Sequence, residues 1–96
     1  MTAERLDDDA IDSRLSELDD WQRNGDAIER SLSFDSFMDA ISFINRISDH
    51  AEHADHHPEI FNVYNRIDLK LTTHDADGLT QKDFDLALQI DGEVLG

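Results

Sequence analysis

The chain has no cysteine, so disulfides, thiolate metal sites and thiol nucleophiles are excluded together. Its 96 residues must be held by packing alone, at a length where roughly 60 to 68 % of the unfolded surface is buried. There is one proline, Pro58, and only four glycines, at positions 25, 78, 92 and 96, which leaves no glycine-rich phosphate loop and no proline-rich linker. No serine sits in a nucleophile elbow flanked by glycines two residues away on each side. Basic residues are scarce: 8 Lys and Arg against 23 Asp and Glu give a formal net charge of -15, which repels phosphate backbones and anionic membrane surfaces. Direct contact with nucleic acid or membrane is therefore not expected. No apolar run approaches the ~20 residues that span a bilayer, and acidic Met1 to Ala10 lacks the blocks of a secretory signal, so the expected location is the cytoplasm.

What is present is a 39 % hydrophobic fraction, clustered and periodic, as a packed single domain requires. Residues 1–10 carry Asp7, Asp8 and Asp9 without apolar rhythm and read as a flexible acidic lead-in, leaving 11–96 as the domain. Ile11, Leu15 and Leu18 form the stripe of a short helix ending near Asp20. Trp21 to Arg23, then Asn24-Gly25, then alternating Ile28, Leu32 and Phe34 predict a hairpin, with Arg30 interrupting the alternation.

Asp35 or Ser36 is placed to cap a second helix, whose stripe is Phe37, Ala40, Ile41, Ile44, Ile47, Ser48 and Ala51. Pro58 disfavours helical geometry at His57, so this helix finishes before His56-His57-Pro58. Residues 65–73 alternate Ile67, Leu69 and Leu71 against Asp68, Lys70 and Thr72, a half-buried strand with His74 at its end. Thr80 is placed to cap a third helix, with Asp83 at the third helical position, Leu79 stapling against Phe84, and Gly92 as its stop. The expected fold is α+β: three antiparallel strands, with room for a short extra one, and three helices on one face. Such a sheet leaves an open edge that pairing between subunits would cover.

All five histidines lie between His50 and His74, and His56, His57 and His74 fall at element boundaries, where side chains converge on clefts. Histidine both gives and takes a proton near neutrality, so three at one site suit general acid-base work. A metal site is the competing reading, since His50, His53 and His57 are spaced three and four apart. Pro58 takes His57 off the helix, and residues 53–57 run His-Ala-Asp-His-His instead of HExxH, so no metal is expected. Ordinary roles also exist for these residues: His50 and His53 as exposed helix positions, Phe61 and Tyr64 as packing residues, Asp83 as a capping acid alone.

The run from Glu52 through His56-His57-Pro58-Glu59-Ile60-Phe61-Asn62-Val63-Tyr64-Asn65, followed by Thr73-His74-Asp75 and Gly78-Leu79-Thr80-Gln81-Lys82-Asp83, resembles the pterin-4a-carbinolamine dehydratase family. The likeness covers roughly residues 20 to 91. It implies an α+β fold of the order above, homodimers or homotetramers, and an active site carrying His56, His57 and His74. Glu52, Asp55 and Asp83 match acidic positions of the same pocket, and Pro58 the proline that shapes its turn. Two positions depart from the pattern: Ile60 stands where many members place tryptophan, and His53 where lysine is common. Losing an indole removes a flat surface for the pterin, which should tune affinity.

The implied activity is dehydration of a 4a-hydroxytetrahydropterin to the quinonoid dihydropterin, with no cofactor. In it His56 and His74 would transfer protons, His57 would orient the pterin, and Glu52 or Asp55 would set histidine tautomers. The alternative is a non-catalytic module on the same fold, serving dimerisation, assembly or transcription.

Overall fold

The computed structural model describes residues 3–95. Its elements are α1 (Asp8–Leu15), β1 (Gln22–Asn24), β2 (Ala27–Ser33), α2 (Phe37–Ala54), β3 (Glu59–Val63), β4 (Arg66–Leu71), a short 3-10 turn (His74–Ala76) and α3 (Gln81–Leu95). The strands form one antiparallel sheet in the order β1-β2-β4-β3. The class is α+β as expected, with β3 a full fourth strand in place of a short optional one.

Register explains how the sheet divides its faces. Ile28 pairs with Leu71, Arg30 with Leu69 and Leu32 with Ile67. Ile28, Ile67, Leu69 and Leu71 are buried with Ile11 of α1, Ala40, Phe43 and Ile47 of α2, and Leu86, Ala87 and Ile90 of α3. The alternate residues Ser31, Ser33 and Lys70 are exposed on the other face. Arg30 breaks the alternation because it points toward the helices: its guanidinium donates to Asp91 of α3, and Trp21 Nε1 donates to the same oxygen at 2.8 Å. The interruption is a polar tether between β2 and α3.

Several boundaries differ from expectation, each for a local reason. The Asp7 carboxylate accepts the Ala10 N–H at 2.8 Å and starts α1 at Asp8, with Asp8 and Asp9 favourably placed at the positive end of the helix dipole. The expected lead-in over residues 1–10 is corrected accordingly: Asp8 to Ala10 are helical, and Leu6 N–H donates to the Leu79 carbonyl at 2.8 Å. Met1 and Thr2 lie outside the described residues. α1 stops at Leu15, short of Asp20, and buried Leu18 sits in the turn beyond it.

Asn24 pairs with Ala27, so the first hairpin turns on Gly25-Asp26, one residue later than expected, and Gly25 takes the positive φ of 61° that the turn requires. Ser36, not Asp35, caps α2, accepting from Asp39 N–H at 3.0 Å. Gly92 does not stop α3, which continues to Leu95.

The second hairpin positions the site. Asp55 ends α2 in the left-handed region at φ 48°, and His56 N–H returns to the Ala51 carbonyl. The reversal sends His56 inward, His57 outward, and the chain into β3. Tyr64 and Asn65 then turn β3 into β4, with Tyr64 also left-handed at φ 49°.

Candidate active site

The site begins with a carboxylate that no solvent reaches. Asp83 is 0 % exposed, at the first turn of α3, where its Oδ2 accepts the Thr80 N–H at 2.9 Å while Thr80 Oγ1 accepts the Lys82 N–H at 3.2 Å. Thr80 and Asp83 cap the helix as expected, except that the Thr80 hydroxyl takes the Lys82 N–H while the Asp83 N–H goes to the Thr80 backbone carbonyl. A buried carboxylate needs more than one donor, and two more are supplied. Thr73 Oγ1 donates to Oδ2 at 2.8 Å, and His56 Nε2 lies 2.6 Å from Oδ1. Asp83 thus acts both as a helix cap and as the partner of a histidine 27 positions away.

His56 is itself buried, at 9 % exposure, yet it contributes to the wall of an open cleft of about 250 Å³. His57, His74 and Asp55 share that wall, with Thr72, Thr73, Asp75 and Lys82. The volume is just under the roughly 300 to 1,000 Å³ typical of small-ligand sites. His74 heads the 3-10 turn, whose ends are clamped by Thr73 N–H to Gly78 carbonyl at 3.0 Å and the return bond at 3.3 Å. His74 and Thr72 also line a second hollow of about 290 Å³ toward the first hairpin.

The structure therefore brings together His56, His57, His74, Asp55 and Asp83, four around the cleft and Asp83 behind His56. Glu52, Pro58 and Ile60 line a separate hollow of about 130 Å³ beside it, with His57 common to both. Glu52 Oε1 is 3.5 Å from His57 Nε2 on the exposed side. Of the acids expected to set histidine tautomers, Glu52 lies against His57, while the carboxylate on His56 is Asp83. His50 and His53 are outside the cleft: His50 Nε2 meets Glu93 Oε2 at 3.1 Å, and His53 Nδ1 donates to the Asp49 carbonyl at 2.8 Å. Phe61 and Tyr64, read as packing residues, are exposed.

Thr72, Thr73 and Lys82 were not singled out by the sequence. For Thr73 and Lys82 the signal is their place beside His74 and Asp83 in the runs that carry the resemblance; for Thr72 there is none short of the tertiary fold.

A sequence profile described as Pterin 4 alpha carbinolamine dehydratase matches residues 4–93. A protein of Novosphingobium aromaticivorans, provisionally named pterin-4-alpha-carbinolamine dehydratase, is 52 % identical over 89 residues, covering 91 % of this chain and 93 % of its own. One from Picosynechococcus, similarly named, is 49 % identical and covers 88 % and 92 %. A crystal structure from Brucella melitensis, described as a transcriptional coactivator/pterin dehydratase, superimposes with a TM-score of 0.90 at 38 % identity, over 94 % of this chain and 98 % of that one. A pterin dehydratase-like RuBisCO assembly factor of the alpha-carboxysome shares the fold, with a TM-score of 0.68 at 16 % identity, over 79 % and 90 %. With nearly its whole length matched by the profile and by relatives of about half identical sequence, the chain belongs to the pterin 4 alpha carbinolamine dehydratase family.

Proposed function

We propose that the chain is a hydro-lyase that dehydrates a 4a-hydroxytetrahydropterin to the quinonoid dihydropterin. The observation that carries this reading is the cleft wall of three histidines, one of them backed by a buried carboxylate. The reaction breaks the C4a–OH bond and the N5–H bond and forms the C4a=N5 double bond, releasing one water. Hydroxide leaves poorly unless protonated, so an acid is needed at the oxygen and a base at the nitrogen.

An ionised Asp83 only accepts, so neutral His56 carries its proton on Nε2 and keeps the Nδ1 lone pair free. That makes His56 the base, with Asp83 stabilising the imidazolium that forms. His74, exposed on its clamped turn, is the acid that protonates the leaving hydroxyl. His57 orients the pterin, and Ile60, beside it, offers a narrower apolar surface than an indole would. No step calls for a metal or cofactor, and turnover should survive exhaustive chelation. The reading includes a cytoplasmic location and a homodimer or homotetramer assembled through the open edge of β3.

The test is turnover of enzymically generated 4a-hydroxytetrahydropterin by the parent and by single alanine variants. His56→Ala and His74→Ala should lower kcat by roughly 10² to 10⁴-fold, and His57→Ala should mainly raise KM. His50→Ala and His53→Ala are controls. No turnover by the parent, or three cleft variants as fast as it, would mean that the chain is not a dehydratase and serves as an assembly module.

A further inference from the structure

The chain of bonds behind His56 has a direction that can be deduced atom by atom. Asp83, as a carboxylate, only accepts, so the single proton of Thr73 Oγ1 goes to Asp83 Oδ2 at 2.8 Å. Thr73 Oγ1 also lies 2.8 Å from Thr80 Oγ1. Since the Thr73 proton is already committed, the Thr80 hydroxyl donates to Thr73. Thr80 Oγ1 in turn accepts from Lys82 N–H at 3.2 Å. The sequence is therefore one-way: the Lys82 amide to Thr80, Thr80 to Thr73, Thr73 to Asp83, with His56 Nε2–H arriving at the other carboxylate oxygen at 2.6 Å. Each donor polarises the next, and the run starts at a backbone amide on the positive end of α3.

Thr73 connects to both proposed proton-transfer histidines, to His56 through Asp83 and to His74 as its neighbour in the clamped turn. Its backbone N–H and carbonyl both bond to Gly78, closing the turn that begins at His74. Its side chain supplies half of what Asp83 Oδ2 accepts. Thr73 is 6 % exposed and Thr80 0 %, so water cannot substitute for a missing hydroxyl without a cavity to hold it.

We propose that Thr73 is a positioning residue, fixing the rotamer of Asp83 and thereby the Nε2–H tautomer of His56, while its backbone holds His74 at its distance across the cleft. This rests on the dehydratase reading for its consequence in turnover, but not for its consequence in the imidazole itself. Thr73→Val removes the hydroxyl and keeps the shape; Thr73→Ser keeps the hydroxyl and loses a methyl.

The experiment is nitrogen-15 NMR of the histidine rings in the parent and both variants, alongside kinetics. The parent should show His56 as the Nε2–H tautomer with a slowly exchanging downfield proton. Thr73→Val should mix in the Nδ1–H tautomer, speed exchange of that proton, and lower kcat by roughly 10-fold with KM little changed. Thr73→Ser should restore both. If the dehydratase reading is wrong, the ring signals still respond and only the kinetic arm is lost. The proposal is overturned if Thr73→Val keeps the parent tautomer and proton exchange, or if Thr73→Ser is as impaired as Thr73→Val. Should Thr73→Val not fold, an Nδ1–H tautomer in the parent overturns it alone, and an Nε2–H tautomer retained in Thr73→Ser supports it.

Discussion

Two regions of this small protein invert the usual distribution of polarity. At the junction of β4 and α3, a carboxylate, two threonine hydroxyls and an imidazole are buried together, each with a hydrogen-bond partner. At β3 and its turn, five to eight residues along the chain from that imidazole, Phe61, Val63 and Tyr64 are 60, 55 and 64 % exposed. Burying polar groups costs several kcal/mol unless every group is paired, and exposing large apolar ones forfeits about 1.5 to 3 kcal/mol each. A packed core alone would reward neither. The first region fits a requirement for one fixed geometry, as the proposed chemistry needs, and the second fits the proposed assembly through β3; the comparison sets a site proposed to act within the chain against an edge proposed to act between chains.

The sharpest way to break the comparison is at its polar half. Asp83→Asn keeps shape but presents an amide that cannot accept from Thr73, Thr80 and His56 together. If the amide nitrogen turns to His56, the ring must accept at Nε2, the wrong tautomer for a base at Nδ1. Turnover should fall by roughly 10² to 10⁴-fold in folded protein. Unchanged turnover with retained far-UV ellipticity would mean that the junction is only a helix cap.

At the apolar half, Phe61→Ser with Val63→Ser should weaken assembly at least ~10-fold, read by sedimentation velocity, while changing monomer stability by no more than about 0.5 kcal/mol. A parent that sediments as a monomer at every concentration would remove β3 as an interface.

Salt should act on the exterior rather than on the buried junction. With a net charge of -15 the surface repels itself, so Tm should rise between about 0.01 and 1 M salt, with the His56 ring proton unmoved. A flat or falling Tm would show that attractive surface pairs already balance the excess acid.

The smallest effect belongs to the outer sheet face. There Ser31 donates to Asp68 at 2.7 Å and Arg66 lies beside it, holding its carboxyl below the usual range. A depressed carboxyl stabilises the fold above its unfolded pKa of about 3.9 and loses that contribution as pH falls through the folded value. The Tm gap between the parent and Asp68→Asn should thus be small near pH 6 and close below about pH 4. A gap that persists in acid would point to packing instead of charge.

These differences also explain what the sequence discloses. α2 is legible because Ala40, Ile47 and Ala51 repeat at helical steps, and β4 because Ile67, Leu69 and Leu71 alternate. Phe43 escapes the expected stripe although it is fully buried, and Phe37, assigned to that stripe, is 44 % exposed in the first turn. β3 is hard to recognise because an edge strand with both faces open has no burial alternation to display. Gly92 reads as a stop, yet Ile90 in the core and Asp91 tied to Arg30 hold the helix beyond it, against a glycine cost of about 1 kcal/mol. The three cleft histidines are visible in the motif because the residues around them are contiguous. The partnership of His56 with Asp83 is not, since it exists only once α3 is docked against the end of β4.

The dual use of Asp83 has an implication for descent. One carboxylate starts α3 and holds His56, so a lineage that abandoned the chemistry could shed its histidines one at a time and still be penalised for losing the acid. An acidic residue is therefore expected at this point wherever this helix start is kept, whether or not the proposed chemistry is kept with it.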